Sequence, residues 1–478
     1  MYIPLIISSV LILLCILLNK ALYRFGVPSL LIFLVLGMIM GSDGIGGIYF
    51  HNYDIAENIS YISIVLIIFY GGFGTKWDTA KPVALKAILM SSLGTVITAF
   101  TTGFLCFIIM GVPFLYGLLF GSVVASTDAA SVFSILRSRK LNLKNGLAPL
   151  LEIESGSNDP FAYMMTILTI SAIKAQGAGS LGADIIISFA LQIVLAIGIG
   201  VIVSVLTVIL LRRLQLEIEG FYPIMLLAIV MLSFSICTIA GGNGMLCVYI
   251  LGIVVGNSKI LHKVSLVHFF DSLSWLMQII LFFILGLLAY PSMLIKIIIP
   301  GTLLSVLMIL VARPLATFSI LSFCKTPFKQ QLLVSWVGFR GAASIAFAII
   351  AVKSFDGNMQ YDLFHLVFFI TLFSVLIQGT LTPFIANKLN LVDKDAGDSV
   401  LKTFTDYFEE THTRLFEYRI TAGDKLLDKH IVDSNIPESI LILTIKRGNQ
   451  IILPRGSTKL LENDIIVASG DDFSFFNE

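Results

Sequence analysis

Two polar clusters lie inside apolar stretches that are long enough to cross a bilayer. The first is Ser126-Thr127-Asp128, and the second is Glu154-Ser155-Gly156-Ser157-Asn158-Asp159-Pro160. A carboxylate at membrane depth costs about 2.5 kcal/mol or more, so such a residue usually faces a water-filled cavity or a partner. Three carboxylates interspersed with hydroxyl groups therefore indicate a site that takes a cation out of water.

The second cluster brings several oxygen ligands together on a helix. Residues four apart share a face, which puts Ser155 beside Asp159 and leaves Asn158 on the neighbouring face. Pro160 has no backbone N–H, so the carbonyl of Gly156 loses its usual helical donor. Hydroxyl, amide, carboxylate and carbonyl oxygens suit an alkali cation. The alternative is a kinked helix whose polar groups are satisfied by neighbouring side chains.

The first cluster belongs to a segment, residues 121–131, that is rich in small and hydroxylic residues. Irregular backbone at membrane depth is tolerated where it lines a cavity, as in many secondary transporters. We therefore predict an interrupted helix that turns Thr127 and Asp128 toward the cation site. A close contact between two helices through small residues is the alternative.

Two arginines, Arg313 and Arg340, add positive charge to apolar stretches. A buried arginine needs a carboxylate or backbone carbonyls. We predict that Glu154 pairs with Arg340, which keeps one carboxylate charged and leaves Asp159 free to bind a proton. Arg313 is either a further intramembrane charge or a residue at the membrane edge. The polar segment 378–383 is expected to serve packing rather than to bind the ion.

Exchange follows from competition at one carboxylate. Shielding from water favours the neutral form of a carboxyl group, so we expect Asp159 to accept a proton near cytoplasmic pH. A proton and a metal cation cannot share the same oxygens. Because Asn158 beside it is uncharged, we expect one cation to exchange for one proton without net charge transfer.

The composition agrees with a membrane protein. Of 478 residues, 57% are hydrophobic and only 13% are charged, against about 25% charged in soluble domains. Apolar stretches separated by short polar loops are long enough to span as helices. We predict about thirteen, at residues 2–19, 28–42, 58–75, 83–110, 114–136, 150–173, 184–211, 222–240, 244–257, 267–289, 293–322, 331–352 and 363–387.

Lysine and arginine are concentrated in alternate loops, which sets the orientation. Basic residues remain on the cytoplasmic side, so we predict an outside N-terminus and an inside C-terminus, which requires an odd number of spans. The basic loops contain Lys20 and Arg24; Lys76, Lys81 and Lys86; Arg137, Arg139, Lys140 and Lys144; Arg212 and Arg213; Lys259 and Lys263; Lys325 and Lys329; Lys388 and Lys394.

The composition changes after Leu391. We interpret residues 1–392 as the transmembrane domain, 393–417 as a charged linker and 418–478 as a small cytoplasmic α+β domain. Within the small domain we predict strands at 418–420, 439–446, 450–453 and 464–468 and a short helix at 425–432. Arg447-Gly448-Asn449 has the composition of a hairpin turn. So small a domain buries little surface, which makes its dimerisation plausible.

Three segments resemble a known family. STDAASVFSILRSRKLNLKNGLAPLLEIESGSNDP (126–160), VGFRGAASIAFAI (337–349) and LIQGTLTP (376–383) resemble the monovalent cation/proton antiporters of the CPA1 group. Within that group they are similar to the NhaP-type potassium/proton antiporters, also called cell volume regulation protein A. The resemblance covers essentially the whole chain.

The resemblance implies a fold and roles for individual residues. It implies an all-α polytopic membrane fold with inverted repeats and interrupted helices, a homodimer, and a six-helix bundle that moves against a dimer-interface domain. It also implies a buried Glu–Arg ion pair, matched here by Glu154 and Arg340. Asp159 would be the carboxylate shared by proton and cation, in a cavity shaped by four further residues: Asn158, Ser155, Thr127 and Asp128.

Residues 418–475 resemble the RCK-C (TrkA-C) domain, a ligand-sensing dimer on potassium transporters, here without the nucleotide-binding half. The resemblance implies a regulatory role, with cyclic di-AMP or another small molecule as the ligand. We expect no other cofactor and no nucleic-acid partner.

The sequence therefore predicts a secondary-active antiporter in a bacterial inner membrane, with potassium favoured over sodium by the resemblance. A sodium/proton antiporter of the same fold is the main alternative. A regulated potassium channel would not need a titratable carboxylate beside a helix break. An intramembrane enzyme would need a nucleophile and a base, for which only Ser155-Gly156-Ser157 offers a faint candidate. A receptor without transport would leave the cost of the buried charges uncompensated.

Overall fold

The computed structural model divides the chain into two compact units, Met1–Phe404 and Thr405–Glu478. Each unit is described by itself. The structure describes residues 9–10, 12–18, 20, 29–128, 131–132, 135–136, 141–175, 181–355, 362–393, 414–421, 424–434, 436–437, 440–448 and 450–470.

The described part of the first unit is helical. Three of its helices contain a short π-helical segment, at Met90–Gly94, Met308–Ala312 and Ser374–Gly379. In chain order the helices are α1 (Ser29–Met40), α2 (Tyr53–Gly74), α3 (Trp77–Ala80), α4 (Ala84–Met110), α5 (Phe114–Val123), α6 (Leu147–Lys174), α7 (Leu181–Arg213), α8 (Phe221–Ile239), α9 (Gly244–Gly256), α10 (Lys263–Leu287), α11 (Pro291–Lys296), α12 (Ile298–Leu321), α13 (Phe328–Trp336), α14 (Ala342–Ser354) and α15 (Leu363–Lys388).

The helices match the apolar pattern of the sequence. Among the described residues, seven helices are long and apolar enough to cross a membrane, and four shorter apolar helices accompany them. Every predicted stretch from residue 28 onward contains one or two helices. In the first predicted stretch, residues 2–19, the structure describes residues 9–10 and 12–18, which are helical. The prediction of a multi-pass helical protein is therefore confirmed.

Polar residues define several helix ends. The side chains of Asn52, Asn243 and Asp362 precede α2, α9 and α15, and each accepts a hydrogen bond from a backbone N–H of the first turn. Such caps satisfy N–H groups that have no partner within the helix. α4 ends at Gly111, whose φ of +64° is a conformation that glycine adopts without strain.

The helices pack in two groups. The scaffold group consists of α1, α2 and α7–α10. Its core includes the stacked rings of Phe69 and Phe73, against which the ring of Phe270 packs at a tilt. The site group consists of α4–α6 and α12–α15. Helix α6 of the site group contacts α2 and α9 of the scaffold group, and helix α14 contacts α2 and α10. The ion-site residues predicted from sequence all belong to the site group.

The second unit contains a four-stranded antiparallel sheet in the order β1-β4-β2-β3. The strands are β1 (Arg414–Arg419), β2 (Ile440–Arg447), β3 (Gln450–Ile452) and β4 (Ile465–Gly470). Arg447 pairs with Gln450 across the predicted hairpin, and Gly448 has a φ of +56° that suits a tight turn. The few-stranded domain and its hairpin are confirmed.

Two local predictions for the second unit are wrong. β1 begins at Arg414, inside the predicted linker. The helix predicted at 425–432 is instead a turn followed by a 3₁₀ segment, Ile431–Asp433. Its backbone bonds to another part of the chain, since Ile431 N donates to Thr458 O at 3.1 Å and Asp428 N to Leu460 O at 3.0 Å. These long-range bonds replace the helical ones.

Candidate functional site: a cation site at two helix breaks

The first break follows α5. The helix ends at Val123, and residues 124–128 after it have no helical structure. Ser126 and Thr127 are nevertheless buried, at 1% and 2% exposure. Buried irregular backbone must find hydrogen-bond partners nearby. The predicted interruption at this position is confirmed.

The second break lies between α13 and α14, at residues 337–341. It contacts the first break directly, because the backbone N–H of Asp128 donates to the carbonyl of Phe339 at 2.8 Å. A side chain at Gly341 would place its Cβ 2.5 Å from the Cβ of Asp128, so only glycine allows this approach. The sequence predicts one continuous span over 331–352, and the structure shows that this is wrong. The two glycines that flank Phe339-Arg340 were the signal for a break.

Arg340 connects the two breaks. Its Nη1 donates to the carbonyl of Ala125 at 2.8 Å and to that of Ser126 at 3.0 Å. Carbonyls of irregular backbone have no helical donor and must find partners elsewhere. The first break therefore supplies the partners that this buried guanidinium needs.

The predicted ion pair of Glu154 with Arg340 is wrong. Glu154 pairs with Arg313, and both side chains are buried, at 0% and 4% exposure. Arg313 follows the π-helical segment of α12, and its side chain reaches Glu154 on α6. Since Arg340 already bonds to the carbonyls of the first break, Arg313 supplies the charge that Glu154 requires. Arg313 is therefore a further buried charge inside the helix bundle.

The polar segment at 378–383 stabilises the second break through hydrogen bonds. The backbone N–H of Arg340 donates to Ser374 Oγ at 3.1 Å, and Ser374 in turn donates to the side chain of Gln378. The Gln378 amide donates to the carbonyl of Trp336 at 2.8 Å, and the Trp336 indole donates back to Gln378 O at 3.2 Å. The π-helical turn of α15 thus holds both ends of the break. A small cavity is lined by Arg313, Arg340, Ser374 and Gln378, among others.

The predicted oxygen ligands meet where the first break crosses α6. Thr127 Oγ1 donates to Ser155 Oγ at 3.0 Å, and its backbone N–H donates to Asn158 Oδ1 at 3.3 Å. The Asn158 amide donates to Thr127 Oγ1 in return. Ser126 donates to the carboxylate of Asp159. All five residues come from the two predicted clusters.

The two aspartates differ from their neighbours in exposure. Asp159 and Asp128 are half-buried, whereas Ser155 and Asn158 are buried, at 4% and 1%. Asp128 accepts a hydrogen bond from Ser131 Oγ at 2.7 Å and lies against the second break. A carboxylate that keeps contact with a cavity can exchange its proton or cation, and the buried hydroxyl and amide groups hold it in position.

Sequence reasoning missed three contacts. Ser126 was placed in the cluster but was not identified as the partner of Asp159. Asn243, at the start of α9 in the scaffold group, donates to the carbonyl of Pro160 at 2.7 Å. Arg313 was left without a partner. The only sequence signals were the polar residue types themselves within apolar segments.

Residues 9–388 match the family model of the transmembrane sodium/hydrogen exchangers, and residues 415–472 match that of the TrkA-C domain. The K(+)/H(+) antiporter NhaP of Alkalimonas amylolytica is 34% identical over 433 residues, which cover 90% of this chain and 75% of the relative. The K(+)/H(+) antiporter NhaP2 of Shewanella sp. strain MR-4 is 34% identical over 463 residues, covering 96% and 79%. These matches confirm the predicted resemblance.

A solved structure of the sodium proton antiporter MjNhaP1 from Methanocaldococcus jannaschii at pH 8 has a similar fold. It superimposes with a TM-score of 0.71 at 24% sequence identity, covering 81% of this chain and 99% of that protein. At this identity the likeness concerns the fold alone. Together with the match over residues 9–388, it leads to one conclusion: the chain belongs to the sodium/hydrogen exchanger family and carries a TrkA-C domain.

Proposed function

We propose that this protein is a secondary-active antiporter that exchanges potassium ions for protons. One observation carries the proposal: Asp159 is half-buried at the crossing of the first break with α6, among hydroxyl and amide oxygens. Such hard oxygens suit an alkali cation. The carboxylate can therefore hold either a proton or a cation.

In the proposed cycle Asp159 is the alternating ligand. When Asp159 is ionised, its carboxylate binds the cation. The oxygens of Ser126, Thr127, Ser155 and Asn158 surround the bound cation or hold the carboxylate in position. When it is protonated, the cation leaves. We propose that the site moves readily between the two sides of the membrane only when Asp159 holds a proton or a cation. Each cation carried in one direction is then exchanged for a proton carried in the other.

Potassium is favoured over sodium by the relatives with the higher identity. The 34%-identical relatives from Alkalimonas amylolytica and Shewanella carry the name K(+)/H(+) antiporter. Sodium remains the second candidate, because a 26%-identical relative from Methanocaldococcus jannaschii is named "Probable Na(+)/H(+) antiporter 2". Initial exchange rates with potassium, sodium, rubidium and lithium decide between them.

The first test is the variant Asp159→Asn. In everted vesicles, cation addition should dissipate a preformed proton gradient in the wild type and leave it intact in the variant, because an amide carries no exchangeable proton. Asp78→Asn is the matched control, since Asp78 lies exposed in the short helix α3. Exchange by Asp159→Asn at the wild-type rate contradicts the proposed mechanism. Cation flux that is independent of a proton gradient favours a channel.

We further propose an inner-membrane location with the N-terminus outside and the TrkA-C domain in the cytoplasm. The alternation of basic loops supports this orientation. Labelling of single cysteines introduced at Lys144 and at Asp43 from either side tests it. A homodimer is proposed from the family resemblance, and light scattering of the purified protein measures it.

A regulatory ligand of the TrkA-C domain, with cyclic di-AMP as the first compound to try, is also a proposal from resemblance. Equilibrium binding to the full-length protein tests it. Absence of binding would leave the exchange mechanism unaffected.

A further inference from the structure

Asn243, which precedes α9, uses both ends of its side-chain amide and is buried, at 1% exposure. Its Oδ1 accepts a hydrogen bond from the N–H of Leu246 at 3.1 Å and so caps α9. Its Nδ2 donates to the carbonyl of Pro160 in α6 at 2.7 Å. Because one partner is an N–H group and the other a carbonyl, the two ends of the amide cannot be exchanged. One side chain therefore has two separate roles, as a cap and as a donor to α6.

The loop around Asn243 is fixed to the scaffold group. The backbone N–H of Asn243 donates to the carbonyl of Gln192 in α7 at 3.1 Å. A Cβ on the preceding Gly242 would lie 2.7 Å from the sulfur of Cys237 in α8, so the loop lies directly against that helix. Neighbouring helices of the scaffold group thus determine where the amide of Asn243 points.

Helix α9 contacts α6 on both sides of Asp159 in the sequence. Pro160, the acceptor of the Asn243 bond, directly follows Asp159. One turn before Pro160, a Cβ on Gly156 would lie 3.5 Å from the ring of Tyr249, which is an ordinary packing distance. The turn of α6 that carries Asp159 therefore lies against α9.

The hydrogen-bonded neighbours of this turn come from two groups of helices. Ser126 and Thr127 belong to the first break, which follows α5, and so lie with α6 in the site group. Asn243 belongs to the scaffold group. An exchanger opens its site to one side at a time by moving one group of helices against the other. A shift of α6 by one turn, about 5.4 Å, would break a hydrogen bond of 2.7 Å.

We propose that Asn243 is a positioning residue for the exchange, and that its bond to Pro160 forms in only one of the two access states. In the state shown here the bond holds the Asp159 turn against the scaffold group, and it breaks when the site group moves. It therefore stabilises one access state relative to the other. The inference rests on the proposed antiport and adds a residue that sets the balance between its two states.

The variant Asn243→Ser separates the donor from the cap. Serine caps a helix about as well as asparagine does, but it has no amide N–H and its side chain is too short to reach Pro160. Proteoliposomes with the protein in one orientation receive potassium on each side in turn, and initial rates give a half-saturating concentration for each side.

The ratio of these two half-saturating concentrations should change about fivefold in Asn243→Ser. Each value is inversely proportional to the population of the state that faces the added cation, and the loss of one hydrogen bond shifts the two populations by about this factor. A smaller amount of folded protein would lower the maximal rate on both sides but would leave the ratio unchanged. The ratio therefore distinguishes positioning from a purely structural role.

The matched control is Asn52→Ser. Asn52 caps α2 by accepting from the N–H of Ile55 at 3.0 Å and is exposed, so this variant should keep the wild-type ratio. Asn243→Thr is a second variant that keeps a cap and lacks the amide. It serves if Asn243→Ser does not fold, and it should change the ratio in the direction expected for the loss of the same bond.

A wild-type ratio in Asn243→Ser, or in Asn243→Thr when the former does not fold, overturns the proposed role of Asn243. Failure of both variants to fold overturns it as well, because the amide would then serve folding alone. If Asp159→Asn is inactive while the Asn243 variants keep the wild-type ratio, only the role of Asn243 fails. If Asp159→Asn still exchanges, the proposed antiport itself fails.

Discussion

At the scale of single residues, two arginines have different partners although both lie in apolar segments. Arg313 pairs with the carboxylate of Glu154, and Arg340 with the carbonyls of Ala125 and Ser126. A buried charge that loses its partner is much more costly than a neutral residue of similar size. Glu154 therefore has a structural role as the partner of Arg313, and Asp159 is the carboxylate that we propose for exchange.

Glu154→Gln should destabilise the protein by about 3–5 kcal/mol, because Arg313 would keep its buried charge without a counter-ion. The melting temperature of the detergent-solubilised protein measures the loss. The double variant Glu154→Gln/Arg313→Met removes both charges and should recover most of the stability. A single variant as stable as the wild type, or a double variant less stable than the single one, contradicts the assignment of this pair.

At the scale of elements, the site depends on two irregular segments that satisfy each other. The N–H of Asp128 bonds to Phe339 O, and Arg340 bonds back to the carbonyls of Ala125 and Ser126 in the first break. Each break supplies the hydrogen-bond groups that the other lacks, so neither is stable without its counterpart in a medium that offers no water. The π-helical turn of α15 keeps the second break in place through Ser374.

Gly341→Ala should slow exchange about tenfold or more, because its methyl group would overlap the Asp128 side chain, 2.5 Å away, and separate the two breaks. The initial exchange rate per folded molecule is the measurement. Gly198→Ala is the matched control in α7, where an added Cβ meets no atom within 4 Å. Equal rates for Gly341→Ala and Gly198→Ala contradict the role of the close approach.

At the scale of the whole molecule, the membrane unit is expected to carry no net charge per cycle. Glu154 and Arg313 form an ion pair, and in the proposed cycle Asp159 exchanges one proton for one monovalent cation. We expect no transport current when proteoliposomes on a solid-supported membrane receive a potassium step, while a pH-sensitive dye records exchange. Asp159→Asn gives the baseline for both signals. A sustained current that accompanies exchange contradicts one-for-one stoichiometry.

The second unit has its own buried charge pair. Asp464 is 0% exposed and accepts hydrogen bonds at 2.8 and 2.7 Å from Arg447 and at 2.9 Å from the N–H of Leu461. Burial alone would raise the pKa of Asp464, but these bonds outweigh it and the net pKa is lowered. A lowered pKa in the folded state stabilises the fold above the unfolded pKa and loses that stabilisation as the pH falls through the folded value.

Asp464→Asn should therefore destabilise the TrkA-C domain at neutral pH by about 1–3 kcal/mol, because a charged hydrogen-bond acceptor is lost. The difference from the wild type should shrink below the usual pKa of aspartate. Protease accessibility of this domain in the full-length protein, followed from pH 7 downward, measures both effects. Asp433→Asn, in the 3₁₀ turn, is the control. A pH-independent difference contradicts the linkage.

The sequence by itself determined the membrane class, the family, the change of composition after Leu391 and the position of both polar clusters. Hydropathy and residue type are local properties, and membrane depth makes each polar residue informative. The β-hairpin at Gly448 was predictable for the same reason, since a two-residue turn depends on adjacent residues.

Only the tertiary structure decided which partner each charge takes. Glu154 and Arg313 are 159 residues apart, and no local pattern distinguishes Arg313 from Arg340 as the counter-ion. The second break was hidden because its stability comes from hydrogen bonds to the first one. The bond between Asn243 and Pro160 likewise joins distant segments. The free-energy cost of a buried polar group is lowest when a distant segment supplies its partner. Which segments meet depends on the whole fold.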